Sequence, residues 1–590
     1  MMNKQTTSGT WQAGQYAQLA MICGLLLAAA SNAWADDHAD ARFRGTGKAD
    51  PVRITNVAIK PSGSAGAADV TFDLAWDHSW RAAWEVSEEQ HGGKGPLKLE
   101  SWDAAWVFVK FRSPGADQHS HAMLSASKGD HRAPASAALD VGLTDDGTRG
   151  VGVFVYRKAA GHGPNDFKGV TLRWLHGAVD PAAVELKVYA LEMVYVPQCA
   201  FWAGDGSTDR VKGQFSAGYS AHPFRVESER ALTLGGETAE TLNNRDAAGM
   251  DPSNRDDFNS DQPRTLPAEF PKGYKAFYCM KHEITQKQYV DFLNTLSYGE
   301  QAACTREGPN AAPGAFVLHN PSSTGTAERL RNEVRIAVSG VPDAAVPVRI
   351  PRGTFVASGT VPKRGAPAVY EAGLPHLACN YVTLKDGEVF AAWAGLRPMT
   401  ELEFEKACRG PLLPVANEYA WGTDQIAGMD AKNGKYVLQN AGQPDETVVW
   451  EGDNGPDATR GNAPDFGRLG NWDGPLRVGV FATPTSDRVR AGASYWGILD
   501  LTGNLMETAV AVSYPEGRAF SGSHGDGGAA PWAGLYFGQR GGGFPRGAHP
   551  SLAHSTFRIS NRFIAANPWY GGGVGARHFY RGFRCVRTAK

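Results

Sequence analysis

Short runs of β-branched and aromatic residues, broken by polar turns, dominate the first third of the chain. They fall at 52–59, 69–76, 104–111, 151–156, 170–175 and 184–195. No run in this stretch repeats apolar residues at helical spacing, and such strand-sized segments at regular intervals predict an antiparallel β-sandwich over residues 50–192. The tryptophans Trp76, Trp80, Trp84, Trp102 and Trp106 fall inside these runs. Two readings fit them: filling of the sandwich core, or a stacking platform for sugars.

The pattern changes beyond residue 193. Thr285 with Gln288 forms a capping-box pair, and Tyr289, Phe292, Leu293 and Leu296 follow at i, i+3, i+4 and i+7. Thr400 with Glu403 repeats the device before Phe404, Ala407 and Cys408, with Gly410 as the stop. A third helix is expected near 384–393, and the stretch 298–375, which lacks clear periodicity, reads mostly as loop. From residue 410 onward Gly, Pro, Asn and Asp with scattered tryptophans predict long loops. The class is α+β: a β-sandwich followed, without a flexible linker, by a loop-rich region spanning 193–590.

At 590 residues the chain exceeds one ordinary core. Lys+Arg 59 against Asp+Glu 61 leaves no basic field for nucleic acid. The N-terminus carries Lys4, an apolar run at 19–30 and Ala33-Trp-Ala35 ahead of Asp36 and Asp37. This order predicts a signal peptide, residues 1–35, cleaved after Ala35, and a periplasmic or secreted product without a transmembrane segment; an uncleaved anchor is the other reading. Cys199, Cys279, Cys304, Cys379, Cys408 and Cys585 remain after cleavage, at spacings that exclude a CxxC site. They can form structural bridges or stay buried as thiols.

One run concentrates candidate chemistry: Tyr-Trp-Gly-Ile-Leu-Asp-Leu-Thr-Gly-Asn-Leu-Met-Glu over 495–507. Gly497 and Gly503 permit a tight turn, and Asp500 and Glu507 offer hard oxygens suited to Ca2+. The alternative is a turn whose acids pair with arginines. The run resembles the Gly-Leu-x-Asp-Met-x-Gly-Asn-Val-x-Glu signature of the formylglycine-generating enzyme, or sulfatase-modifying factor, family. Other landmarks occur in the family's order: Met-Val-Tyr-Val-Pro from Met193, Lys-His-Glu-Ile-Thr from Lys281, and Leu-Arg-Pro-Met-Thr-Glu-Leu-Glu-Phe-Glu-Lys-Ala-Cys-Arg-Gly from Leu396. Tyr-Ala-Trp-Gly from Tyr419, Arg-Gly-Gly-Gly-Phe from Arg540 and Gly-Phe-Arg-Cys-Val from Gly582 complete the set.

The resemblance implies a variant of the C-type lectin-like fold and, in aerobic members, a copper-binding cysteine pair that oxidises a substrate cysteine to formylglycine. Aligning Arg558 and Arg562 with the family's arginines places His549 and His554 where those thiols would stand, and no cysteine lies between Cys408 and Cys585. Copper(I) held by thiolates needs soft sulfur, so that reaction is expected to be absent. The histidines could instead share Cu or Fe with a third ligand such as His578, in an oxidase acting with O2 on a protein, peptide or small molecule, or they are remnants of a decayed site. Members related to pyoverdine maturation also lack the thiols. The resemblance further implies one Ca2+ site from Asp500, Gly503, Leu505 and Glu507 and a second from Asn462 and Asp473. Positions that pair with Cys408 and Cys585 in animal members look like Ile559 and Ala391 here, which leaves the two cysteines to find Cys279 or Cys379 or to stay reduced. A groove lined by Trp421, Arg540, Phe544, Arg558 and Arg562 is expected to take an extended peptide or glycan, and the sandwich offers a surface for self-association.

Overall fold

The computed structural model describes residues 38–208, 211, 213–244, 256–258, 262–321, 327–328, 330–343, 365–428, 433–463, 472–532, 534–544, 556–562 and 575–589. The expected leader and both His549 and His554 lie outside the described residues. The described chain is mixed, with many strands and few helices.

Seven strands build the first layer pair: β1 (Arg53–Pro61), β2 (Ala68–Val86), β3 (Leu97–Arg112), β4 (Ala137–Leu143), β5 (Gly150–Arg157), β6 (Gly161–Trp174) and β7 (Glu185–Val196). β2 is long enough to change partners: its first part pairs with β6, and from Arg81 to Val86 it pairs with β3. β3 then pairs with β5 and, from Asp103 to Arg112, with β7. The two layers close over alternating inward residues, Val70, Phe72, Leu74 and Trp76 of β2 against Val107, Val109, Val153 and Val155. At the corner where β2 switches layers, buried Asp103 accepts from Trp76 Nε1 (2.9 Å), Ser79 Oγ (2.7 Å) and Trp80 N (2.9 Å). All five tryptophans singled out in the sequence are buried. They serve the core rather than a sugar platform.

The sandwich does not end where the second region starts. β7 pairs with β3 through Val194 and, from Met193 to Val196, also with β8 (Phe277–Met280). The sheet continues through β9 (Arg397–Thr400), β10 (Glu507–Val510), β11 (Phe537–Arg540) and β12 (Cys585–Thr588) in the spatial order β8-β12-β9-β10-β11. Trp106 of β3 reaches across and donates to Ala394 O at 2.8 Å. One hydrogen-bonded sheet thus carries both regions, which explains the missing linker.

Each expected helix forms. α1 (Gln286–Leu293), α3 (Leu384–Trp393) and α4 (Glu401–Arg409) start at Thr285, Thr383 and Thr400, each with a reciprocal capping box. α2 (Tyr298–Cys304), with the same device at Ser297 and Glu300, lies in a stretch read from sequence as loop. It spans seven residues, too short for periodicity to register. The six cysteines among the described residues are buried thiols. Cys279 faces Val586 across β8 and β12, so the neighbouring Cys585 projects to the opposite side of the sheet. The pairing of Cys585 with Cys279 entertained from sequence is corrected by this register.

Thr285 Oγ1 accepts from Gln288 N (3.2 Å) and Gln288 Oε1 accepts from Thr285 N (2.9 Å). Thr285→Ala should therefore cost about 1 kcal/mol in urea denaturation, with the m-value unchanged.

Candidate functional site

The five residues expected to line a groove are all buried; Arg540 and Arg562 share Glu401, and Arg558 lies over Tyr419, which stacks on Trp421. Their surroundings are set by α4, whose sequence Glu-Leu-Glu-Phe-Glu-Lys-Ala-Cys-Arg is buried at every position. Charged side chains taken out of water need partners. Glu401 meets Arg562 (Nε to Oε2, 2.7 Å) and Arg540 (Nη1 to Oε2, 3.1 Å), and accepts from Val512 N (2.8 Å). Arg540 also donates to Glu405 (2.7 Å) and to Ile559 O (2.7 Å). Arg562 is held on its other side by Asp256 (2.8 Å). Glu403 takes Arg397 in a two-pronged pair (2.8 and 2.6 Å), and Arg409 pairs with Glu405 (3.2 Å) and Glu418.

Burial alone would raise the Glu401 carboxyl, but Arg562 and Arg540 hold it below the usual carboxylate range. Asp205, beside this cluster, is pushed up to about 6 by burial, against the pull of Ser207 N and Arg409. Arg558 donates to Asn417 O and stacks its guanidinium 4.8 Å from the Tyr419 ring, which is itself stacked on Trp421 at 4.9 Å. Phe544 packs near Phe579 and its N–H donates to Asn504 O at 2.9 Å. Glu401, Glu405, Glu418 and Asp256 were not singled out in the sequence. Glu401 and Glu405, one helical turn apart on the α4 pattern, were the available signal.

The 495–507 turn adopts the conformation its glycines suggested: Gly497 and Gly503 have φ of 82° and 86°, and Asp500 and Asn504 are also left-handed at 60° and 58°. A Cβ on Gly497 would lie 2.4 Å from Arg42 O. Only glycine admits the segment that follows the predicted leader, whose Arg42 donates to Tyr495 O (2.9 Å) and lies 4.3 Å from the Trp84 ring.

Beneath the turn sit three buried carboxylates. Asp500 Oδ2 accepts from Gly479 N (2.6 Å), Glu507 Oε1 from Arg584 Nε, and Glu283 from Leu505 N (2.8 Å) and the Asn504 amide. Glu283 is pushed well above the carboxylate range by burial and by the charges of Glu507 and Asp500. Burial raises Asp500 and Glu507 as well, the latter against the pull of Arg584. Among the described residues Glu507 Oε2 and Arg584 Nη2 have no hydrogen-bond partner. Among the described residues no three His, Cys, Asp or Glu side chains converge as a metal-binding group. A cation here would therefore draw on backbone carbonyls as well; the orphan carboxylate oxygen of Glu507 beside Asp500 is what fits a hard cation. Asn462 accepts from Tyr436 Oη (2.8 Å) and donates to Arg490 O (2.7 Å), while Asp473, raised by burial, lies by Tyr381. His549 and His554 lie outside the described residues, so the structure does not place them beside Arg558.

With this geometry in place, comparison with known proteins gives the chain's relatives. Residues 227–589 match the sulfatase-modifying factor enzyme 1-like domain. The chain is 27% identical over 272 residues to the formylglycine-generating enzyme of Mycobacterium tuberculosis (strain ATCC 25618 / H37Rv), covering 44% of this chain and 73% of that protein. It is 38% identical over 63 residues to hercynine oxygenase of the same organism, covering 10% of this chain and 15% of that protein.

Glu401→Gln leaves Arg540 and Arg562 buried with one fewer anion. The expected loss is about 3–5 kcal/mol in equilibrium unfolding, against less than about 1 kcal/mol for Glu451→Gln on an exposed strand.

Proposed function

Because the chain belongs to the sulfatase-modifying factor enzyme 1-like family, matching it over residues 227–589, we propose that it is an exported family member that binds an extended peptide or glycan and does not carry out copper–thiolate oxidation. The observation that carries this reading is the absence of any cysteine between Cys408 and Cys585, where His549 and His554 precede Arg558 and Arg562. Imidazole is a borderline ligand that binds copper without the soft anionic sulfur a pair of thiolates gives copper(I), so a histidine pair would not reproduce a bis-thiolate site. The ion pairs of Arg540 and Arg562 support a scaffolding role for these arginines, because both guanidinium groups already face buried acids. Ligand contacts would then fall to the residues around them.

In this reading the loops adopt a C-type lectin-like arrangement stapled by Ca2+. Asp500 and Glu507, with the carbonyls of Gly503 and Leu505, would hold one ion; Asn462 and Asp473 would contribute to a second. When bound, the ion supplies positive charge to a buried carboxylate cluster. Asp500 meanwhile holds Gly479 N, and Glu283 holds the backbone of Leu505, so the turn stays in place. The apolar run and Ala33-Trp-Ala35 support export to the periplasm or beyond, and the sandwich supplies a surface for self-association. Among the described residues no helix is long and apolar enough to cross a membrane.

A second reading, a Cu- or Fe-dependent oxidase using His549 and His554 with O2, draws on the similarity to a protein named hercynine oxygenase. Elemental analysis of protein purified without a chelating tag separates the two. Stoichiometric calcium is expected, with chelation lowering stability by about 3 kcal/mol relative to a hundredfold excess of calcium over its dissociation constant. Glu507→Gln should abolish that difference. Stoichiometric iron or copper, lost in a His549→Ala/His554→Ala variant, would favour the oxidase.

A further inference from the structure

A cavity of 370 Å³ lies where three parts of the molecule meet: the segment 44–52, strand β7 with His78, and the start of α1 with 375–376 and 477–479. Its size falls in the range of small-molecule sites, about 300–1,000 Å³. The segment 44–52 is tied across one side by Gly45 N to Thr483 O (3.1 Å), Gly47 N to Ala482 O (3.2 Å) and Ala49 N to Pro444 O (2.7 Å). That segment, His78 and Glu192 all precede the family-matched residues 227–589. The cavity is therefore walled jointly by residues that precede the matched range and by residues of the family domain itself, among them His282, His376 and Arg477.

Charge decides what such a cavity would take. Every acid lining it is already engaged. Asp50 accepts from the backbone N–H groups of Asp77 (2.8 Å) and His78 (2.8 Å) and pairs with Arg53 (3.3 Å). Glu192 is paired with Lys281 at 2.7 Å, and Asp291 with Lys287. The cations are in surplus: Arg44 and Lys48 line the cavity, and neither has an acidic partner among the described residues.

Arg477 also lines the cavity, but it is committed: its guanidinium is spent on backbone carbonyls and faces Asp500, Glu446 and Asp445. Its guanidinium donates to carbonyls, Glu446 O at 2.9 Å and Gly47 O at 3.3 Å, while the Glu446 carboxylate takes Arg477 N and the Arg331 guanidinium instead. The imidazoles of His282 and His376 complete the wall. Burial lowers both, so they supply neutral N–H donors without adding like charge. The guanidinium of Arg44 and the ammonium of Lys48 beside imidazole N–H donors match an oxyanion carrying two charges.

We propose that this cavity binds a small-molecule oxyanion, inorganic phosphate or a phosphate or sulfate monoester, through Arg44, Lys48, His282 and His376. The site is separate from the arginine cluster but shares a wall with the Asp500 turn, since Leu499 lines it and Gly479, also in its wall, donates to Asp500. An occupant would bridge the 44–52 segment to the second region and slow its opening.

Titration calorimetry of the metal-depleted mature protein with inorganic phosphate, in low-salt calcium-free buffer, tests the site. Binding is expected at micromolar to submillimolar phosphate, weakened at least tenfold in Arg44→Gln/Lys48→Gln and unchanged in Lys60→Gln, a surface cation elsewhere on β1. Acetate at equal ionic strength should bind far more weakly. Amide hydrogen exchange of residues 44–50 should slow when phosphate is present, and the double variant should keep the parent melting temperature without it. Absence of heat at millimolar phosphate, equal affinity in the double variant, equal binding of acetate, or binding with no protection at 44–50 would each overturn the assignment.

Discussion

A helix buried on every side cannot carry five charged residues among nine unless each finds a partner, and this condition on α4 organises the second half of the molecule. Its acids reach residues scattered along the chain: Arg397 on β9, Arg540 on β11, and Arg562, with Asp256 completing the set. The pairs tie α4 to two strands, β9 and β11, and to the irregular segments that carry Arg562 and Asp256. The 495–507 turn is bound into the same assembly through Gly503 N to Gly541 O and Phe544 N to Asn504 O. Removing an acid costs far more than the pair contributes over an apolar core, since a buried cation is left behind. Specific loop placement, rather than net stability, is what such a network gains.

The continuous sheet supplies the second constraint. Because β7 is shared between β3 and β8, the sandwich cannot rotate as a separate module without breaking ladder hydrogen bonds. Trp106 bonded to Ala394 and Arg42 bonded to Tyr495 add two side-chain ties, one through the sheet and one through the segment after the predicted leader. The sandwich is best understood as an extension of the family domain that also contributes walls to a new cavity.

Much of this was legible in the sequence, for definite reasons. Capping boxes are local, so Thr285–Gln288 and Thr400–Glu403 marked helices before any tertiary contact was known. The strand runs were equally local, and the positive φ at Gly497 and Gly503 followed from the turn chemistry. The arginines were harder to place. Arg540, Arg558 and Arg562 were expected in a groove from the resemblance, but the acids that meet Arg540 and Arg562, namely Glu401, Glu405 and Asp256, lie 135 to 306 residues away in sequence, and no local pattern announces them. Helix α2 escaped because seven residues cannot show a period, and the orientation of Cys585 depended on a strand register that no single segment specifies.

The central claim about function is that the chain keeps the family domain without its copper–thiolate chemistry. The most direct measurement is to incubate copper-loaded protein and O2 with a peptide carrying the Cys-x-Pro-x-Arg motif and to follow the cysteine by mass spectrometry. The account predicts that the cysteine persists at the level of a protein-free control. Conversion to the formylglycine aldehyde, dependent on the protein, would contradict it.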